Sequence, residues 1–167
     1  MFRRTGSEWR TAARGGLIAG LWGGLALSLF MMLTAWLDAR DVWQPLKGAA
    51  SPFLGLRARV AGFDAVAVLV GQLAHFAVSM AWGLLFGLLV YGISKPTTVW
   101  LGLLWGLVVA SAMFYVVLPL AGLGAMARAS HPNVVVLQHL LFGLTTAVGF
   151  LPYQRSARHP LWPQVES

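Results

Sequence analysis

The sequence contains no cysteine, and only 10% of its 167 residues are charged. Without cysteine there are no disulfides, no thiolate nucleophiles, and no zinc or iron–sulfur sites built on thiolates. The low charge excludes an ordinary soluble domain, in which about 25% of residues are charged. With 58% hydrophobic residues, the chain is predicted to be an integral membrane protein.

Recognisable catalytic motifs are also missing. The chain has neither HExxH nor GxSxG, and its five acidic residues show no catalytic spacing: Glu8, Asp38, Asp41, Asp64 and Glu166. The two histidines inside apolar runs provide too few ligands for a metal site. We therefore expect no catalytic residues, no metal and no enzymatic activity.

Four long apolar runs occupy most of the chain. Each reaches the roughly 20 residues that a helix needs to cross the hydrocarbon core, and none contains Asp, Glu, Lys or Arg. The expected fold is all-α, an integral membrane bundle of four transmembrane helices over 15–153. The predicted spans are 15–37, 65–93, 99–123 and 134–153.

The segments outside the spans are basic. Residues 1–14 and 154–167 are expected to be tails, and the loop 38–64 mixes apolar residues with Lys47, Arg57 and Arg59, which is typical of an element lying in the headgroup region. The net charge of +7 is spread over these flanks, so its expected partner is the bilayer surface and not nucleic acid. The side with the termini carries seven Lys and Arg against five, which predicts cytoplasmic termini.

Small residues recur at four-residue intervals in these runs. In a bilayer, helices associate where small residues let their backbones approach closely. The predicted packing positions are Gly16, Gly20, Gly24, Ser79, Gly83, Gly87, Gly102, Gly106 and Gly143.

Short stretches of the first two spans return in the last two. The triplet LWG occurs at 21–23 and 104–106, and a glutamine precedes each intramembrane histidine, His75 and His139. One interpretation is two tandem two-helix repeats, which would place both histidines at equivalent depths. The alternative is a chance match, because Leu, Gly and Ala are abundant here.

The two histidines leave three functional hypotheses open. They can hydrogen-bond within the bundle to predicted polar partners, in an accessory or scaffolding subunit of a larger membrane complex or a homo-oligomer that needs no cofactor. They can instead be axial ligands of a haem or another tetrapyrrole. A small transporter or channel is the third hypothesis, although the spans lack the charge that coupled transport uses. The predicted polar partners are Gln72, Gln138, Ser28 and Ser111.

The stretches DVWQPLKGAASPFLG, GQLAHFAVSMAWGLLFG and QHLLFG resemble those of uncharacterised small bacterial four-span membrane proteins of the YagU-like kind. The resemblance covers roughly residues 15–153 and implies a location in the bacterial inner membrane. It also implies that His75 and His139 are positions typical of the family, and it brings no assigned activity.

Overall fold

The computed structural model describes residues 5–128 and 131–154, except the side chains of Met126 and Ala127. Within these ranges the regular secondary structure is helical. Four helices are long and apolar enough to cross a membrane, which confirms the predicted all-α four-helix bundle of a multi-pass membrane protein. They are α1 (Gly6–Leu37), α2 (Ala65–Val90), α3 (Lys95–Leu120) and α4 (Pro132–Phe150).

Capping residues explain where the helices begin. The Thr5 hydroxyl accepts from the Glu8 amide at 3.4 Å, and the Glu8 carboxylate accepts from the Thr5 amide at 2.8 Å. This capping box starts α1 nine residues before the predicted span, within the basic tail. The Ser94 hydroxyl likewise accepts from the Thr97 amide and starts α3 before its predicted span. The length of an apolar run alone does not predict such polar first turns.

The helices pack in the order α2, α1, α4, α3. Helix α1 lies between α2 and α4, and α3 packs against α4. Helices α2 and α3 follow one another through a short turn but meet mainly through aromatic rings, with centroids 5.8 Å apart for Trp82 and Trp105 and 6.0 Å for Phe86 and Trp105. The core of the bundle is built around the buried rings of Phe86, Phe142 and Phe150.

Helix α3 contains one irregular turn. Residues Met113–Val117 form a π-helical turn shortly before Pro119. Proline has no amide hydrogen and its ring crowds the carbonyl four residues earlier, so a wider turn at this point relieves the conflict.

The bundle has two ends, the loop end and the termini end. The loop end carries the segment 38–64 and the connection between α3 and α4, and the termini end carries Thr5 and Gln154. The loop 38–64 is folded into three short helical pieces: Gln44–Gly48, Ser51–Leu54 and the 3₁₀ turn Gly55–Arg59.

Candidate functional site

The predicted small residues of α1 and α2 lie directly between these two helices. A methyl group on Gly83 would overlap the Gly16 carbonyl oxygen and the Gly20 backbone. Gly20 in turn faces the backbone at Ser79, and Gly87 faces Gly16. Only glycine allows backbones to approach this closely.

The contact between α3 and α4 repeats this geometry. A methyl group on Gly143 would overlap the Gly102 carbonyl oxygen and meet the Gly106 backbone, and Gly106 faces the backbone at His139. The structure thus places all nine predicted packing residues between helices.

These matched contacts define an internal correspondence between the two helix pairs. Gly16 and Gly20 correspond to Gly102 and Gly106, and Gly83 corresponds to Gly143. On this register His139 corresponds to Ser79 and not to His75. The alignment of the two histidines was therefore wrong by one helical turn, because it matched residue types and not the positions that pack.

The two LWG triplets also do not correspond to each other when the helix pairs are aligned on these glycine contacts. Trp22 is largely exposed on the outside of the bundle, whereas Trp105 packs against both buried clusters. The repeat thus consists in the spacing of the small residues. Because the sequence contains so many of them, that spacing alone does not select one alignment.

His75 lies at the contact between α2 and α1. Its Nε2 is 3.0 Å from the Gly24 carbonyl oxygen, to which it donates as the Nε2–H tautomer. One turn away, Ser28 and Gln72 hydrogen-bond to each other at 3.2–3.3 Å. These two predicted polar partners therefore pair with each other and not with the imidazole.

His139 is buried inside the bundle. Its Nδ1 is 2.8 Å from the Val135 carbonyl oxygen of its own helix, and its ring meets the edge of Phe114 at 6.1 Å between centroids. The hydrogen bonds of the two imidazoles go to different carbonyls. Phe114 belongs to the π-helical turn of α3, and such turns frequently occur at functional sites.

The other two predicted polar partners, Ser111 and Gln138, are not buried in the bundle. The Ser111 hydroxyl is exposed and donates to the Leu107 carbonyl of its own helix at 3.0 Å. The Gln138 amide is partly exposed on α4, next to His139 in sequence, and has no hydrogen-bond partner among the residues described. Neither side chain contacts a histidine through a hydrogen bond in that part of the chain.

Lys47 was expected at the headgroups, but the structure buries its side chain completely. Its ammonium donates to the carbonyls of Val60 at 2.5 Å and Gly62 at 2.6 Å, and lies 3.3 Å from the Asp41 carboxylate. Burial raises the pKa of Asp41, but hydrogen bonds from Trp43, Gly62 and Lys47 outweigh it and leave that pKa below its ordinary value. Lys47 thus joins the two ends of the loop 38–64.

A second ion pair caps α2. The Asp64 carboxylate accepts from the Val66 and Ala67 amides at 3.0 Å and from Arg57 at 2.7 Å. The hydrogen bond from Arg57 is the largest cause that lowers the pKa of Asp64 to about 2. The first turn of α2 and the loop are therefore fixed to each other.

Gln154 is predicted to lie in the second tail, but it is buried at the termini end of the bundle. This buried amide donates to the Val90 carbonyl at 2.8 Å and to the Thr98 hydroxyl at 2.7 Å, and its oxygen accepts from the Gly92 amide at 2.9 Å. It joins the end of α4 to the turn between α2 and α3. Its position at the edge of an apolar run gave no signal of this role.

Comparisons of the chain with protein-family models, with curated proteins and with solved structures found no match. The resemblance to YagU-like proteins is not tested by them and stays a prediction.

Proposed function

We propose that this protein is a non-catalytic accessory or scaffolding subunit that associates with other membrane proteins or with itself. By the charge distribution and the resemblance described above, its proposed location is a bacterial inner membrane with both termini in the cytoplasm. The observation that carries the proposal is the partly exposed amide of Gln138, which has no hydrogen-bond partner among the described residues.

A glutamine amide in a bilayer is stabilised by a hydrogen bond to another protein group, because hydrocarbon provides no donor or acceptor. Gln138 lies in the second turn of α4 and has no such partner within the described chain. The glycine faces, by contrast, are already used for contacts inside the bundle. A neighbouring helix is therefore expected to associate through polar contacts near Gln138 and not through a GxxxG face.

The test is affinity purification in a mild detergent, with identification of co-eluting proteins and measurement of the oligomeric mass. We expect Gln138→Leu to weaken association a few-fold, since a hydrogen bond between membrane helices contributes about 0.6 kcal/mol on average. Gln72→Leu is the matched control, because Gln72 bonds to Ser28 inside the bundle and its loss should affect stability instead. A wild-type protein that purifies alone and monomeric would contradict the proposal.

The same preparation tests the two other hypotheses. A Soret band lost in both His75→Ala and His139→Ala would favour a haem-binding subunit, although ligation through His75 Nε2 would cost its bond to Gly24. Proton or substrate flux in liposomes that depends on His75 would favour a transporter. A colourless protein without flux leaves the accessory role in place.

A further inference from the structure

A cleft opens at the loop end between the two connections of the bundle. Its volume is about 320 Å³, and its lining residues are Gln44, Ser51, Arg59, Gly122, Leu123 and Ala125. We call it the loop-end cleft. Small-molecule sites in proteins usually measure about 300–1,000 Å³, so the cleft is large enough for a lipid headgroup but not for a whole lipid.

Charge pairing leaves two cations beside this cleft. The three carboxylates at the loop end each hold one basic residue: Asp38 holds Arg40 at 2.8 Å, Asp41 holds Lys47 at 3.3 Å and Asp64 holds Arg57 at 2.7 Å. Of the basic residues at this end, only Arg59 and Arg128 have no carboxylate partner among the residues described.

Of the two unpaired guanidinium groups, that of Arg59 lines the cleft, and that of Arg128 lies beside the connection that forms one wall of it. Arg128 folds back over Gly124, where its Nη1 lies 3.3 Å from the position that a β-carbon would occupy, and Gly124 stands between the lining residues Leu123 and Ala125. The hydroxyl of Ser51, which also lines the cleft, has no hydrogen-bond partner in the described part of the chain. The cleft therefore offers donors for an anion beside an apolar wall.

Exposed apolar side chains place the cleft at the bilayer surface. The loop segment that carries Arg59 also exposes Phe53 at 69% and Leu56 at 80% of their surface. Exposed aromatic and aliphatic side chains beside arginines are the pattern of an element lying at the boundary between headgroups and acyl chains. An occupant of the cleft is thus reached from the lipid phase.

We propose that the loop-end cleft binds the phosphate of an anionic glycerophospholipid through Arg59 and Arg128, with Ser51 as a third donor. Guanidinium groups recognise phosphate oxygens through paired, charge-assisted hydrogen bonds, and the apolar wall at Leu123 faces the start of the acyl chains. The proposal requires the chain to span a bilayer and is independent of its association with other proteins.

The test is a titration of the delipidated full-length protein in a non-ionic detergent, followed by native mass spectrometry. The probes are dioleoyl-phosphatidylglycerol and, for comparison, dioleoyl-phosphatidylcholine. We expect preferential retention of phosphatidylglycerol. Because a basic residue near an anionic lipid surface contributes about 1 kcal/mol, Arg59→Gln and Arg128→Gln should each weaken binding about fivefold, and the double variant about 25-fold.

Arg40→Gln is the matched control, since it removes one exposed guanidinium from the same end but outside the cleft, and it should change binding less than about twofold. Both cleft arginines are exposed, so their substitution removes no packed side chain, and circular dichroism checks the helix content. Equal losses in Arg40→Gln and Arg59→Gln would overturn the proposal. So would equal retention of the two lipids, or inorganic phosphate that displaces phosphatidylglycerol at equal concentration.

Discussion

Replacement of Gly16 by alanine tests the packing of α1 against α2. The added methyl carbon would lie 2.6 Å from the Gly83 carbonyl oxygen and 2.9 Å from the Leu84 α-carbon. Both obstacles are backbone atoms and cannot rotate away, so the helices must separate by about 0.8 Å to restore an ordinary contact. A gap of 0.5–1 Å already removes a quarter to a half of the attraction between packed atoms.

Overpacking of this kind costs about 1–3 kcal/mol, and the higher helix propensity of alanine returns at most about 1 kcal/mol. We therefore expect Gly16→Ala to lower the free energy of unfolding by up to about 2 kcal/mol when that offset applies in full. The measurement is reversible unfolding in mixed micelles, with helix content and tryptophan fluorescence as readouts.

Gly149→Ala is the matched control on α4. Its β-carbon would lie 3.4 Å from the Ala19 α-carbon, which is an ordinary van der Waals contact. This variant should be neutral or slightly stabilising, because alanine removes the conformational freedom of glycine. If Gly16→Ala and Gly149→Ala proved equally stable, the close approach of α1 and α2 would be refuted.

Two further predictions concern the ends of the bundle. Gln154→Ala should lower the free energy of unfolding by about 1–3 kcal/mol, since it leaves buried polar partners unsatisfied; a thermal shift equal to that of Gln138→Ala, which breaks no described hydrogen bond, would count against this. The pKa of Asp64 is about 2 in the folded protein against an ordinary value of 3.8. The ionised carboxylate therefore stabilises the fold fully at pH values above that ordinary pKa, and this stabilisation is lost as the pH falls through about 2. Melting temperature measured against pH should show this loss, and Asp64→Asn should remove that part of the dependence; an unchanged profile in Asp64→Asn would reject the role of the pair with Arg57.

The four long apolar helices could be predicted from the sequence, because the thickness of a bilayer imposes a length that hydropathy can count. The sequence could not predict where side chains point. Lys47 is basic in a loop, which indicates a solvated charge, yet two carbonyls and Asp41 enclose it. The correct register of the two helix pairs also depends on which glycines face each other, and that information appears only when the helices are packed.

The four interfaces of the bundle differ in the groups that fill them. Within each pair, backbone meets backbone at glycines, so α1 with α2 and α3 with α4 have little room to shift. Between the pairs, side chains fill the space: Phe142 packs over Gly23 of α1, and Trp105 of α3 meets the rings of α2.

The contacts between the pairs also hold the unsatisfied polar atoms. Trp105 Nε1 and Thr146 Oγ1 are buried without a hydrogen-bond partner in the described part of the chain, and Thr146 faces Gly23 of α1. An unpaired buried donor costs free energy that a small displacement or an entering water molecule can recover. The two unpaired atoms therefore mark the contacts between the pairs as the places where a hydrogen bond to an entering water molecule would stabilise the bundle.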